Sequence, residues 1–266
     1  MARTNKGNFI SRTPKVHLKR KLLSWALGVT IVIVCVGCIY AIFFSSLLTV
    51  TSLEVQGNKL VSEEKIIQLV EQTMRSNRWR SMIVSPGHVL FWITTNEISG
   101  MSMGEPTVRS VAIKSNLISR KVVIQVRERE FVGTWCTDSC VGFDASGIAY
   151  FSAPHVEGTL LLHVQDENIR PLPLGESVWK DEKAFNNVLE TIYEVRGSGI
   201  AIASITIKDY ALREWEIRPA KGGVIYLSVD FVPEKIGAII ASVLEKTTWD
   251  TLQYIDLRVQ NRVYFK

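Results

Sequence analysis

No acidic residue precedes Glu54, and between Leu22 and Val50 no residue of either sign is ionisable. The first absence leaves Arg3, Lys6, Arg12, Lys15, Lys19, Arg20 and Lys21 uncompensated, a charge of +7 in residues 1–21. The second makes LLSWALGVTIVIVCVGCIYAIFFSSLLTV one apolar run. It exceeds the ~20 residues a helix needs to cross a bilayer core. Beyond the leader the chain is nearly neutral: 31 − 7 = 24 Lys and Arg face 26 Asp and Glu, or −2. The overall +5 therefore lacks the extended basic footprint of a nucleic-acid-binding protein, and no nucleic-acid partner is expected.

Catalytic signatures are also missing. No serine sits in a nucleophile elbow, since the one Gly-x-Ser-x-Gly, Gly100–Gly104, falls at the end of an expected helix rather than on a strand-to-helix turn. There is no HExxH and no Gly-rich phosphate loop, and the four histidines (17, 88, 155 and 163) show no metal-ligand spacing. Asp144 with Gly147 has the composition of a turn rather than of a cation site. Asp256 and Arg258 stand two apart on one strand face, an ion pair worth under about 1 kcal/mol. The expectation is a non-enzymatic protein with no cofactor, no metal and no small-molecule substrate.

The apolar run reads as a retained membrane anchor. The h-region of a cleaved signal peptide is only about 7–15 residues long, and cutting before Cys38 would leave Ile39–Val50 as a second apolar stretch. Cations before the span place the N-terminus in the cytoplasm and everything from Thr51 onward outside it. Cys35 and Cys38 then sit within the span as small packing residues. Cys136 and Cys140 flank Thr-Asp-Ser after a β-rich run, and an oxidising compartment lets them close a hairpin by a disulfide.

Periodicity organises the rest. Leu53 and Val55 alternate with Glu54 and Gln56 up to a Gly57-Asn58 turn. Ser62 then caps a helix with Glu63 and Glu64 in its first turn and Ile66, Ile67, Val70 and Met74 as its apolar stripe. Residues 75–80, RSNRWR, read as a solvated loop. Thr94-x-x-Glu97 reads as a capping box opening a second helix through Ile98 and Met101. Strands follow over Val108–Lys114 and Lys121–Arg127.

Further on, Phe185, Val188, Leu189 and Ile192 mark a helix that stops at Gly197-Ser-Gly199. Strands are expected over Ile200–Ile207, Arg213–Arg218 and Val224–Val229, and Pro233 suits the first turn of a last helix carrying Ile236, Ile239, Ile240, Val243 and Leu244. YIDLRVQNRVYFK (254–266) alternates throughout and reads as one continuous strand.

LEVQGNKLVSEEKI after a span, VVIQVRERE with Glu128-Arg129, then Trp135, FDASGIAYF and YIDLRVQNRVYFK resemble, in that order, the FtsQ/DivIB bacterial cell division proteins. Phe131 and Gly133 depart from the proline and alanine usual there. The resemblance implies an α+β protein: a leader (1–21), a single N-terminal transmembrane helix (22–48), a β-α-α-β-β POTRA domain (49–129), and a mixed β-sheet domain with two packing helices (130–266). It implies cell division and septation as the process, the cytoplasmic (inner) membrane at the septum as the location, and FtsL and FtsB/DivIC-type proteins as partners, with other divisome components as further candidates through the POTRA domain. The FtsL and FtsB/DivIC-type partners are expected to add a strand at the C-terminal edge, through Val259, Asn261, Arg262, Val263 and Tyr264. The alternative class is a membrane-anchored extracytoplasmic cell-wall enzyme or a transport-associated POTRA protein.

The charge asymmetry makes a topology prediction. A reporter active only outside the cytoplasm, fused after Lys266, should be active. Activity there from a reporter that works only in the cytoplasm would reverse the orientation.

Overall fold

The structure, a computed structural model, describes residues 15–44, 48–76, 84–94, 96–155 and 161–266. The leader cations Arg3, Lys6 and Arg12, and residues 77–80 of the basic loop, lie outside the described residues. Helix α1 (Lys15–Phe44) begins within the cationic leader. Its segment Leu23–Ala41 is the one helix among the described residues long and apolar enough to span a membrane, and none of it is buried by protein. The molecule is a mixed α+β protein with two mixed or antiparallel sheets. It divides into two compact units, residues 1–54, 74–93 and 114–122 in one, and 55–73, 94–113 and 123–266 in the other.

In the first unit the residues after α1 are held by backbone bonds. The Val50 N–H donates to the Gly87 carbonyl and the Thr51 N–H to that of Arg120. A 3-10 turn over Val89–Trp92 buries Val89, Phe91 and Trp92, and the Trp92 indole N–H donates to the Pro86 carbonyl. This apolar turn was not foreseen, because four residues are too few to display a period.

Strand β1 (Ser52–Gln56), helix α2 (Glu63–Arg75), β2 (Ile98–Ser99), β3 (Val108–Asn116) and β4 (Lys121–Glu128) follow. The strands form a sheet in the order β1-β4-β3-β2. The helix lies where the capping residue and stripe predict, with Ile66, Val70 and Met74 buried.

The helix expected after Thr94-x-x-Glu97 is a correction. Ile98 and Ser99 pair instead with Val111 and Ser110, and Met101–Met103 makes a single 3-10 turn. Two apolar positions supply too little burial to offset helix nucleation, whereas Ile98 gains a cross-strand neighbour. A Cβ at Gly100 would fall 1.7 Å from the Val108 carbonyl oxygen, so the backbones meet at a distance only glycine permits. The order among the described residues is therefore β1-α2-β2-β3-β4, without the second helix of a β-α-α-β-β module.

The larger sheet contains β5 (Gly133–Cys136), β6 (Cys140–Phe143), β7 (Ala149–Ala153), β8 (Leu162–Asp166), β9 (Ile202–Asp209), β10 (Glu214–Pro219), β11 (Val224–Ser228), β12 (Tyr254–Asp256) and β13 (Tyr264–Phe265). Its nine strands run in the order β13-β12-β11-β10-β9-β8-β5-β6-β7. Helix α3 (Glu182–Gly197), capped by the Asp181 carboxylate on the Ala184 N–H, buries Phe185, Val188, Leu189, Ile192 and Val195. Helix α4 (Ile236–Leu244) buries Ile236, Ile240 and Val243. Both join one core with Trp135, Phe143, Ile205, Ile217 and Ile225. Pro233 does not open the last helix: Lys235 adopts a left-handed conformation (φ 53°), which the interior of an α-helix cannot contain, so the helix begins after it.

The closing segment is the second correction. Instead of one strand it is a hairpin, with Ile255 opposite Phe265 and Asp256 opposite Tyr264. Between them Asn261 takes φ 61°, and the Arg262 N–H donates to the Val259 carbonyl. Asparagine tolerates the left-handed region that a reversal needs. The alternation was real for Ile255 and Leu257, both buried, and accidental for Val259, which is half exposed.

Ile225 is fully buried between neighbouring strands. Ile225→Ala should lower unfolding stability by about 2–5 kcal/mol through lost burial and a cavity. A denaturant titration of the full chain in detergent checks this, and a loss below about 1 kcal/mol would place Ile225 outside a packed core.

Candidate docking edge

An open sheet keeps unpaired backbone groups only at its two outer strands. In this protein the outer side of β7 is covered at its start. The Ala149 N–H donates to the Glu176 carbonyl, the Gly175 N–H donates to that of Ala149, and Ile148 bridges Ser177. On β13, among the described residues, no strand pairs with the outer side.

Hydrogen-bond parity fixes which groups β13 leaves free. The Lys266 N–H donates to the Tyr254 carbonyl, and the Lys266 carbonyl accepts from Gln253 and Tyr254. Lys266 therefore faces inward, Tyr264 opposite Asp256 has the same parity, and Phe265 opposite Ile255 directs its N–H and C=O outward. Of the five residues expected at the docking strand, Tyr264 is in it and half exposed, and Val263 adjoins it. Val259, Asn261 and Arg262 lie in the turn instead. They line a groove of about 300 Å³ with Val263, Leu257, Ile239 and Pro233.

Charges brace the hairpin from the polar face. Arg258 grips Asp256 with Nε and Nη2 at 2.9 and 2.6 Å, and its Nη1 reaches Glu214 Oε2 on β10 at 2.7 Å. The hydrogen bonds from Arg258 hold the Asp256 carboxyl below its usual range despite partial burial, and Asp256 and Glu214 push the guanidinium up.

The Glu128-Arg129 pair is structural. The Glu128 carboxylate accepts the N–H groups of Lys59, Leu60 and Val61, each at 3.0 Å. Arg129 is buried, donating to the Pro106 carbonyl at 2.9 Å and to Asp144 Oδ2 at 2.6 Å. Asp144 also accepts from the Ser146 N–H and hydroxyl and the Ile148 N–H, which shapes the Asp144–Gly147 turn, with Gly147 at φ 75°. Burial alone would raise the Asp144 carboxyl, but the bonds from Ser146, Ile148 and Arg129 outweigh it and hold the carboxyl below its ordinary value.

Two other groupings bring together residues that sequence spacing does not. Asp166, almost fully buried, accepts from the Trp135 indole at 3.0 Å, from Asn168, from Arg170 and from the Tyr210 hydroxyl. Alternation of Leu162, Val164 and Asp166 against His163 and Gln165 was the available signal for β8. Cys136 and Cys140 face one another across β5 and β6 and are joined by a disulfide. His163 and His155 are brought against these sulfurs, at 3.8 Å from Cys136 Sγ and 3.7 Å from Cys140 Sγ. Pairing of β5 with β8 and of β6 with β7 folds these distant positions together.

Neither a protein-family model nor a curated protein matches the chain. The geometry alone defines the class of surface present: an exposed sheet edge beside a small groove, suited to an extended peptide.

A carboxyl held below its ordinary value contributes stability above that value and loses it as pH falls through the lowered one. Asp144→Asn should therefore flatten the acid limb of the stability curve below pH ~4. Arg129→Ala leaves a buried carboxylate unpaired and should cost about 3–5 kcal/mol near neutral pH. Denaturant titrations across pH check both, and an unchanged acid limb in the Asn variant would remove Asp144 from the account.

Proposed function

We propose that this chain is a non-enzymatic assembly protein of the bacterial division machinery, anchored in the cytoplasmic membrane. The observation that carries the reading is the outward-facing backbone of Phe265 on an uncovered edge strand. The apolar helix Leu23–Ala41 supplies the anchor, the leader cations set its N-terminus in the cytoplasm, and the sheets lie outside. The resemblance to FtsQ/DivIB proteins in the order of motifs supplies the process and the kind of partner. An FtsL–FtsB (DivIC) type pair adds a strand to β13, and the complex acts at the septum.

Strand addition obtains affinity from main-chain hydrogen bonds and selectivity from side chains on alternate faces. Tyr264 is the aromatic anchor on the polar face, where interface hot spots favour tyrosine. The adjacent groove receives an apolar side chain of the added strand.

Proline substitution tests this, since proline lacks the N–H. Phe265→Pro removes an outward donor and should abolish capture of the FtsL–FtsB type pair by the tagged full chain from its own cells, while the melting temperature stays close to the parent's. Tyr264→Pro removes an inward donor and should lower the melting temperature. Tyr264→Ala should weaken binding by about 2 kcal/mol or more and leave folding intact. Parental binding by both Phe265→Pro and Tyr264→Ala, with both folded, would rule out β13 as the docking strand.

A further inference from the structure

The cysteine hairpin lies near the opposite end of the sheet order from β13, and its surroundings do more than close a turn. On β5, Thr134 and Cys136 point to one face, and on the adjoining β8, His163 and Gln165 share it, with Thr134 opposite His163 and Cys136 opposite Gln165. On the other side β6 carries Cys140 opposite Ala153 of β7, and the chain leaving β7 brings in His155. The ligand atoms of Cys136, Cys140 and His155 all lie within 4.8 Å of one another. His163 stands outside that mutual group but adjoins it: its ring packs 5.2 Å, centroid to centroid, from that of His155, and its Nδ1 lies 3.8 Å from Cys136 Sγ.

A tetrahedral zinc ion with Zn–S of about 2.3 Å and Zn–N of about 2.0–2.1 Å places its sulfur and nitrogen ligands roughly 3.6 Å apart. The two sulfur–nitrogen separations here are 3.8 and 3.7 Å, each between a different cysteine and a different histidine. Two ring nitrogens, carried by separate parts of the chain, thus face the two sulfurs. His163 Nδ1 also lies 3.0 Å from the Thr134 hydroxyl, which orients the ring and is the contact a metal would compete with.

We propose that, once reduced, Cys136 and Cys140 bind a single zinc ion together with His155 and His163, so that the β5–β6 turn is clamped by a disulfide under oxidising conditions and by a Cys2His2 metal site under reducing ones. A dithiol reductant passes two electrons and two protons to the S–S bond, leaving two thiols and its own disulfide. Zinc then forms two Zn–S and two Zn–N bonds and releases the two thiol protons. Two thiolates with two imidazoles are a donor set that favours zinc over calcium or magnesium. The site is independent of the docking edge.

The test uses the full chain in detergent micelles, with Cys35→Ser and Cys38→Ser so that only the two hairpin thiols remain. A trialkylphosphine reduces the disulfide, taking the oxygen of water to become the phosphine oxide, and cobalt(II) is the probe. The expected result is one cobalt per chain, with a thiolate charge-transfer band and the visible bands of tetrahedral cobalt, appearing only after reduction and lost on adding zinc. His155→Ala and His163→Ala should each weaken binding at least about tenfold. Their unreduced forms should melt as the parent does, because the disulfide still closes the turn. No thiolate band on the reduced, folded chain would overturn the proposal, as would binding without reduction. Parental affinity in either histidine variant would overturn the four-ligand set.

Discussion

The hydrogen-bond ladder of the nine-stranded sheet is the constraint on which the sites of the larger unit depend. Each interior strand commits its donors and acceptors to both neighbours, so recognition by backbone is possible only at the ends of the order. One end is partly covered by residues 175–178, which bond back onto the start of β7. The other ends in β13, two residues long, whose outward groups are set by the single register that lets Lys266 bond Tyr254. A shift of one residue would turn Phe265 inward and move its side chain to the face of Asp256.

So short a strand holds its place through its neighbour. Ile255 and Leu257 on and beside β12 are buried, and Arg258 ties Asp256 to Glu214 two strands away in the order. The outermost pairing, two residues long, is nonetheless the least supported part of the ladder. At the other end of the order the same ladder assembles the cysteines and histidines from three separate stretches of chain.

Local pattern revealed most of the elements. The stripes of α2 and α3 and the alternation of β4 were legible because each repeats its period several times, and the apolar helix because its run is long. The failures fall where the signal is short or where tertiary contact decides. Thr94 and Glu97 satisfied a capping box, yet Ile98 found a strand partner and Gly100 a close backbone approach. The terminal alternation ran through a turn because Asn261 reverses the chain without disturbing the apparent period. Of the candidate docking residues, Tyr264 stands in the edge strand, while the distant partners of Arg129, Asp166 and the two histidines were not legible. The pairings of Arg129 with Asp144, of Asp166 with Trp135 and Tyr210, and of His155 with Cys140 span 15 to 44 residues of sequence and have no local signature.

Backbone amide hydrogen exchange on the full chain, with and without its captured partner, tests the docking edge most directly. The account predicts that the Lys266 amide, bonded inward to Tyr254, is protected in both states. The Phe265 amide, facing outward, should exchange freely in the chain alone and become protected on binding. Protection of Phe265 before the partner is added, or its continued free exchange within a saturated complex, would contradict the claim that β13 is the strand to which the partner pairs.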